Sequence, residues 1–307
     1  KANNYDITKA EGTLSVDANA EEVVVKIKGD TESRTYDGSS HTIKYSIAGY
    51  KVNGKDVDES QLPKGFDKNN IILNGNAATG ATGKDVGTYD LKLVSTNFSY
   101  TGKGFGKVTF ETEDGKLVIS EATVRAKAAA AGKMFGAEDP ALSYETVSEP
   151  VAGEQPAYTG APARAEGEAV GDYSIGQGTL ALADNGAFKA SNYTLAFEGA
   201  TFTIAASDKL SVVSANGHKG AYDGATHAAS AAASVDGARI QWSSDGKTWS
   251  DDVPAPSVRD VADETWYARA VCENYEPSRP VEVTLQVTPA TVRAKAAAAG
   301  KMFGAED

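Results

Sequence analysis

Apolar and polar residues alternate with a period of two along most of this chain. The pattern is plain in "EEVVVKIKG" (residues 21–29), "HTIKYSIAGY" (41–50), "GTYDLKLVS" (87–95) and "GKVTFETEDGKLVIS" (106–120). It returns in "NYTLAFEGATFTIA" (192–205), "ARIQWSSDGKTWS" (238–250), "TWYARAVCE" (265–273) and "PVEVTLQVTP" (280–289). Successive side chains of a strand point to opposite faces, so each run predicts a half-buried strand. The runs are rich in Val, Ile, Thr, Tyr and Phe, and Gly, Asn, Asp or Ser separate them. Asp114-Gly115 and Asp245-Gly246 carry the hairpin signal. "RAKAAAAGKMF" points the other way, because alanine is the best helix former. The run before Gly132 is too short for a lone helix and has no apolar stripe at helical spacing. A strand from Thr123 to about Ala128, running into a loop, is predicted there. The expected fold is all-β, built from tandem small β-sandwich modules.

Internal repeats set the organisation. "ATVRAKAAAAGKMFGAED" stands at residues 122–139 and again, without a substitution, at 290–307, an offset of 168. "KANNYDITKAEGTLSV" (1–16) aligns without gaps to "KASNYTLAFEGATFTI" (189–204), an offset of 188. "YDGSSH" (36–41) returns as "YDGATH" (222–227), an offset of 186. Two kinds of unit therefore alternate. The expected boundaries are a terminal strand at 1–18, a module at 19–121, a module of the other kind at 122–206, a second copy of the first kind at 207–289, and the opening strand of a further unit at 290–307. Such a chain reads as a piece of an alternating array. Its two outer segments are expected to pair head to tail between molecules, or to add to an exposed sheet edge, because unpaired edges seek partners.

Residues 122–206 resemble the MBG domain of bacterial surface proteins, named from mucus-binding adhesins. The resemblance is carried by "KMFGAEDPALSYE" (133–145), by "GAPAR" and "GEAVGDYSIGQGTLAL" (between 160 and 182) and by "NYTLAFEGATFTI" (192–204). The alanine run 128–131 departs from it, since a polar turn is expected there. The flanking modules resemble the immunoglobulin-like "YDG" repeats of the same class of exported protein, through "YDG", "VGTYDLKL" (86–93) and "QWSSDGKTWS" (241–250). The resemblance implies an elongated rod of modules from a bacterial surface adhesin, anchored to the cell wall. These modules would space a distal binding region from the wall, or themselves bind mucin glycans or a host extracellular matrix protein. It also implies that a Lys–Asn or Lys–Asp bond inside a core is one way such modules are braced.

Composition narrows the partners. The chain has 307 residues, 41% apolar, with 30 Lys+Arg against 42 Asp+Glu and a formal net charge of −12. An acidic surface repels nucleic acid and anionic membranes, and no apolar run reaches the roughly 18 residues of a membrane helix. Cys272 is the only cysteine, so no disulfide forms within the chain. It shares a strand face with Trp266, Ala268 and Ala270 and reads as a small buried hydrophobe. Trp242 and Trp266 read as core residues. Trp249 follows a turn and is the aromatic residue placed for glycan contact. His41 and His227 read as turn or edge-strand residues, and with His218 they do not make the four-ligand spacing of a zinc site. In "VGxY", at Val86–Tyr89 and Val170–Tyr173, the tyrosine packs inward like a tyrosine corner. The glycine-rich stretch 100–110 precedes a strand, not the helix a phosphate loop requires. Oxygen-rich loops at 67–70, 184–186 and 244–252 are candidate Ca²⁺ sites without the EF-hand spacing. No catalytic constellation emerges, and an enzyme is not expected.

Overall fold

The computed structural model describes residues 8–300, apart from 76, 149, 150 and 152, together with 302 and 303. Its regular structure is strand with four single 3-10 turns, and no α-helix occurs among the described residues. In chain order the strands that matter below are β1 (Asn19–Gly29), β2 (Glu32–Thr35), β3 (Tyr45–Val52), β4 (Gly87–Asp90), β5 (Phe105–Glu113), β6 (Lys116–Ser120), β7 (Ala122–Ala128) and β8 (Ala131–Met134). They continue as β9 (Gly171–Gly176), β10 (Tyr193–Glu198), β11 (Ala200–Ala205), β12 (Val212–Asn216), β13 (His218–Ala221), β14 (Arg239–Ser243), β15 (Ala262–Val271) and β16 (Val281–Thr288). The chain is all-β, as its alternation predicts. It forms two compact units. The first comprises residues 1–127, 145–161 and 179–198, and the second residues 128–144, 162–178 and 199–307.

In the first unit β1 lies between β5, parallel to it, and β3, antiparallel. Val23, Val25 and Ile27 point inward while Lys28 faces solvent, the alternation a one-sided sheet requires. A second sheet has the order β2-β6-β4. Val25, Ile27, Ile43, Tyr50, Leu91, Phe98, Leu117 and Ile119 share one core with Val124, Phe188 and Tyr193 from the segment that follows. That segment adds β7, flanked by β10 and Tyr144–Thr146.

Asp114-Gly115 is not the hairpin turn its sequence predicts. The chain changes sheets there: β5 pairs with β1, and β6 pairs with β2 and β4. The first strand changes sheets beside it, between Gly29 and Glu32. The two crossings are so close that a Cβ on Gly115 would lie 2.3 Å from the Asp30 carbonyl oxygen and 2.6 Å from Gly29 C. Glycine is there for the close approach, and Asp114 stabilises the crossing by accepting the N–H groups of Leu93 and Gly115. Asp245-Gly246, in contrast, does turn a hairpin, with Trp242 opposite Ser250.

In the second unit β11 lies between β8, parallel, and β9, antiparallel. A further sheet has the order β13-β16-β15-β14. Its core is Trp242, Ala268, Val283, Leu285 and Val287. The loop expected after Ala128 is instead a short break followed by β8. No polar turn is needed there, because β7 takes β10 as its parallel neighbour and β8 takes β11. The Ala129 N–H at the break finds the Ser143 carbonyl at 2.9 Å.

The outer strands expected at 1–18 and 290–307 do not form over residues 8–18 and 290–300; residues 1–7, 301 and 304–307 lie outside the described residues. The reason is the missing ladder. The same eighteen-residue sequence makes β7 and β8 where β10 and β11 run beside it, and makes no strand at 290–300.

Candidate functional site

Three strand trios share one construction. In β2-β6-β4, β8-β11-β9 and β13-β16-β15 the middle strand has a parallel neighbour on one side and an antiparallel one on the other. The chain leaves the parallel strand at an aromatic residue: Tyr36, Phe135 and Tyr222. The backbone N–H of each donates to the carbonyl of the last paired middle-strand residue, Ser120, Ala205 and Thr288, at 2.8 Å in all three. On the other side a valine precedes the antiparallel strand: Val86, Val170 and Val261. The residues after these valines, Gly87, Gly171 and Ala262, stand opposite Ile119, Ile204 and Val287. Each trio therefore ends in an aromatic ring and a valine N–H flanking the middle strand.

The loop carrying that valine is pinned in two of the three. The Tyr89 hydroxyl donates to the Asp85 carbonyl at 2.9 Å, and the Tyr173 hydroxyl to the Ala169 carbonyl at 2.8 Å. These are the corner tyrosines predicted from "VGxY". The Tyr173 ring lies against Gly167, where a Cβ would come within 2.2 Å of it and where φ is +139°.

An Asn-Tyr pair fills two of the trio ends. At the first, Asn192 Oδ1 accepts the Val86 N–H at 2.9 Å, and the Tyr193 ring meets Tyr36 edge-on at 5.4 Å and 79°. At the second, Asn274 Oδ1 accepts the Val170 N–H at 2.8 Å, and the Tyr275 ring meets Phe135 edge-on at 5.3 Å and 75°. Edge-to-face rings at this spacing attract through their quadrupoles as well as by burial. In both cases the tyrosine opens a parallel pairing, with Ala122 in one and Ser207 in the other. Asn274 takes φ +66°, a left-handed conformation asparagine tolerates better than most residues.

The first joint is the more elaborate. Asn192 is 1% exposed, and its amide also donates to Asp85 Oδ1 at 2.9 Å. Glu154, itself 5% exposed, accepts the Tyr36 hydroxyl at 2.5 Å and the Tyr193 hydroxyl at 2.7 Å. Phe188 stacks on Tyr193 at 4.5 Å. Burial, then the Glu154 carboxylate, pushes the Tyr36 phenol up to about 12 and raises Tyr193 as well. Both phenols are thus held as donors to one carboxylate.

The third trio end is open among the described residues. Tyr222 is 41% exposed where its counterpart Tyr36 is 4% exposed. Tyr222, Asp260 and Val261 line a shallow depression with Pro289, Ala290 and Val292.

The residues singled out from sequence fall elsewhere. Trp242 is buried and Trp266 half-buried, its Nε1 donating to Glu264. One face of the Trp249 ring is covered by Arg269, whose Cζ lies 4.4 Å from the ring centroid. His41 and His227 each pair with the aspartate of their "YDG", at 3.0 Å to Asp37 and 3.1 Å to Asp223. His218 stacks on His227 at 3.4 Å. Cys272 is half-buried and lies just past the end of β15, so it does not share the strand face expected of it with Ala268 and Ala270, which are fully buried. The candidate calcium loops use their carboxylates internally: Asp67 accepts the Asn69 N–H, Asp184 that of Ala190, and Asp245 those of Lys247 and Thr248. No cluster of three or more His, Cys, Asp or Glu fit to hold a metal occurs among the described residues. Sequence reasoning took Val86 and Val170 only as the opening of "VGxY" and Asn192 only as part of a repeat, and gave Glu154 and Asn274 no role, although the recurrence of Asn-Tyr at 4–5, 192–193 and 274–275 was a signal in plain view.

Residues 123–203 match the family described as MBG domain (YGX type). The chain therefore holds one segment similar to the MBG domain, in a sequence with internal repeats. The MBG segment carries both halves of the joint: it supplies Asn192-Tyr193 to the preceding trio and presents Phe135 and Val170 to the pair that follows. No curated protein matches the chain. Solved structures similar to it include the N-terminal four Ig domains of Dscam1 isoform 9.44, at 11% identity over 87% of this chain and 73% of that one, TM-score 0.26. The I9–I11 tandem from titin is 10% identical over 88% of this chain and 100% of that one, TM-score 0.21. Extracellular domains 3–5 of Drosophila OTK are 10% identical over 89% of this chain and 100% of that one, TM-score 0.23.

Proposed function

We propose that this chain is a repeat segment of a bacterial surface adhesin. It lies outside the cell, carries no catalytic site, and spaces a distal binding region from the wall. The observation that supports this is the joint made twice with the same atoms. A valine N–H on an asparagine and an aromatic ring on a tyrosine fix each trio end against the segment that follows. A repeated, partly buried polar contact of this kind limits bending where a flexible linker would permit it. Small-angle scattering tests the reading. The expected result is an extended particle whose longest dimension grows in proportion as modules are added. A compact particle, or one whose size distribution matches freely jointed beads, would overturn it. The competing role, direct binding of mucin glycans or a host matrix protein, predicts capture on a mucin glycan array, and the spacer reading predicts none by this segment.

A further inference from the structure

The same parallel pairing starts at three places in the chain. Asn19 stands opposite Phe105, Ala122 opposite Tyr193, and Ser207 opposite Tyr275. In the first two it runs on, from Glu22 to Lys28 along β5 and from Thr123 to Lys127 along β10. In the third it stops after a single rung. There the Ser207 N–H donates to the Asn274 carbonyl at 3.0 Å, and the Ser207 carbonyl accepts the Glu276 N–H at 2.9 Å. Pro277 and Pro280 follow, each with φ fixed and without the N–H a ladder needs. Ser278 turns to β15 instead. It donates its N–H to the Ala270 carbonyl at 2.9 Å and accepts the Ala270 N–H on Oγ at 2.8 Å. The strand left behind has a bare edge. β12 pairs with residues 230–233 and has no strand on its other side among the described residues. Ser211 spends both backbone groups on Ser234. Neighbours along an extended chain face the opposite way, so Leu210 and Val212 present theirs to the bare edge. Between that edge and residues 276–281 lies a groove of about 510 Å³, lined by Leu210, Val212 and Val281 and by Asp208, Glu276 and Arg279. None of these three charged residues makes an ion pair among the described residues.

The two filled places show what such an edge takes. Lys107 of β5 pairs with Glu22 at 2.9 Å near the start of its ladder, and Glu113 with Lys28 at 2.7 Å at the end. Glu198 of β10 pairs with Lys127 at 2.7 Å, again at the end. The receiving side of the groove has the same order of charge. Asp208 and Glu276 directly follow the single rung, and Arg279 comes three residues after Glu276. We propose that the bare edge at residues 210–213 is a docking site for an extended strand of another polypeptide. The strand enters parallel to β12, with a lysine toward its start, glutamates toward its end and apolar residues at alternate positions between them. Main-chain hydrogen bonds to Leu210 and Val212 give the attraction, and the charges fix the direction. The inference stands apart from the spacer reading, since a spacer needs no such edge.

The probe is a capped synthetic peptide of residues 104–113, the sequence that fills this place in the first unit. It is titrated into the whole chain by fluorescence anisotropy, with hydrogen exchange read at residues 210–213. Saturable binding is expected, with exchange at 210–213 slowed and exchange at 22–28, already paired, unchanged. A peptide carrying Glu111→Lys and Glu113→Lys should bind about tenfold more weakly. Arg279→Glu, at an exposed position, should swap the order of the two peptides. The tryptophan-detected transition of the second unit shows that this variant is folded. N-methylation of alternate peptide amides should abolish binding in one phase and spare it in the other, because a strand offers only every second amide to one edge. Absence of saturable binding overturns the proposal, and the two prolines then serve only to guard an edge. So does binding indifferent to the charge swap. So does protection of 210–213 that grows with chain concentration in the absence of peptide, which would mean that a second copy takes the edge.

Discussion

Asn192→Ala is the sharpest probe of the joint. Asn192 is 1% exposed and makes two hydrogen bonds across it, each 2.9 Å, one from the Val86 N–H and one to the Asp85 carboxylate. Truncation strands the half-buried Val86 N–H, at a cost of about 1–3 kcal/mol. It also removes a charge-assisted bond of about 1.5–3 kcal/mol. The two terms overlap, since one side chain makes both bonds and water reaches part of the vacated space. A net loss of about 2–4 kcal/mol is expected. At the second joint, Asn274→Gly keeps the left-handed backbone, no carboxylate among the described residues partners the amide, and Val170 is 42% exposed; water replaces the lost acceptor and the cost falls to about 1 kcal/mol. Trp242, Trp249 and Trp266 all lie in the second unit, so their fluorescence follows that unit alone, and the first unit is read by amide exchange. Asn192→Ala should speed exchange at Val86 by roughly thirty- to several-hundred-fold while leaving the tryptophan-detected transition in place. Unchanged exchange at Val86, or an equal fall in the tryptophan-detected transition, would refute the reasoning.

Tyr193→Phe takes one of two donors from the buried Glu154 carboxylate and should cost about 1–3 kcal/mol, measured by urea denaturation followed by circular dichroism. The folded state holds the Tyr36 proton up to about 12, against about 10 for a free phenol, so this stability is fully present below pH ~10 and is lost as pH rises toward 12; phenolate absorbance at Tyr36 should appear only with unfolding of the first unit, and a free titration near pH 10 with intact circular dichroism would contradict it. Gly115→Ala drives a Cβ into the backbone of Gly29 and Asp30 and should cost at least ~3 kcal/mol in thermal denaturation, whereas Gly106→Ala, whose nearest neighbour is 3.9 Å away, should cost less than ~1 kcal/mol. In the second unit Arg164, then Lys133, holds Asp139 down to about 2; its contribution is present above pH ~4 and is lost as pH falls toward 2, and Arg164→Gln should move the Asp139 carboxyl titration, read by NMR, back toward ~4.

The strands were legible because their period is local. Val23, Val25 and Ile27 announce a half-buried strand wherever they are placed. The repeats were legible as text. The fate of Asp114-Gly115 was not, because Asp-Gly fits both a tight turn and a close crossing, and only the approach of Gly29 from 86 residues away decides between them. Residues 122–134 and 290–302 make the same point without any difference in sequence. One copy is strand and the other is not over its described residues, so what decides is the neighbour. A parallel edge strand has no hydrogen bonds of its own to stand on.

The joint escaped sequence reading for a related reason. Its receiving half is one backbone group, the N–H at a valine, and one aromatic ring whose identity changes from Tyr36 to Phe135. Backbone groups leave no trace in the residue string, which is why "YDG" at 36–38 and "FGA" at 135–137 build the same end from different letters. Only the incoming half is written in the same letters both times, as Asn-Tyr, and asparagine also reads as an ordinary turn residue. A joint built this way can be kept while the modules around it diverge, since selection need hold only one aromatic ring and one Asn-Tyr pair. It can also be graded. The first joint adds Asp85, Glu154 and Phe188 around the same two contacts, and the second does without them. It follows that the two joints should yield in order under load or denaturant, the one at Asn274 before the one at Asn192, and that grafting the Glu154 loop would be the way to equalise them.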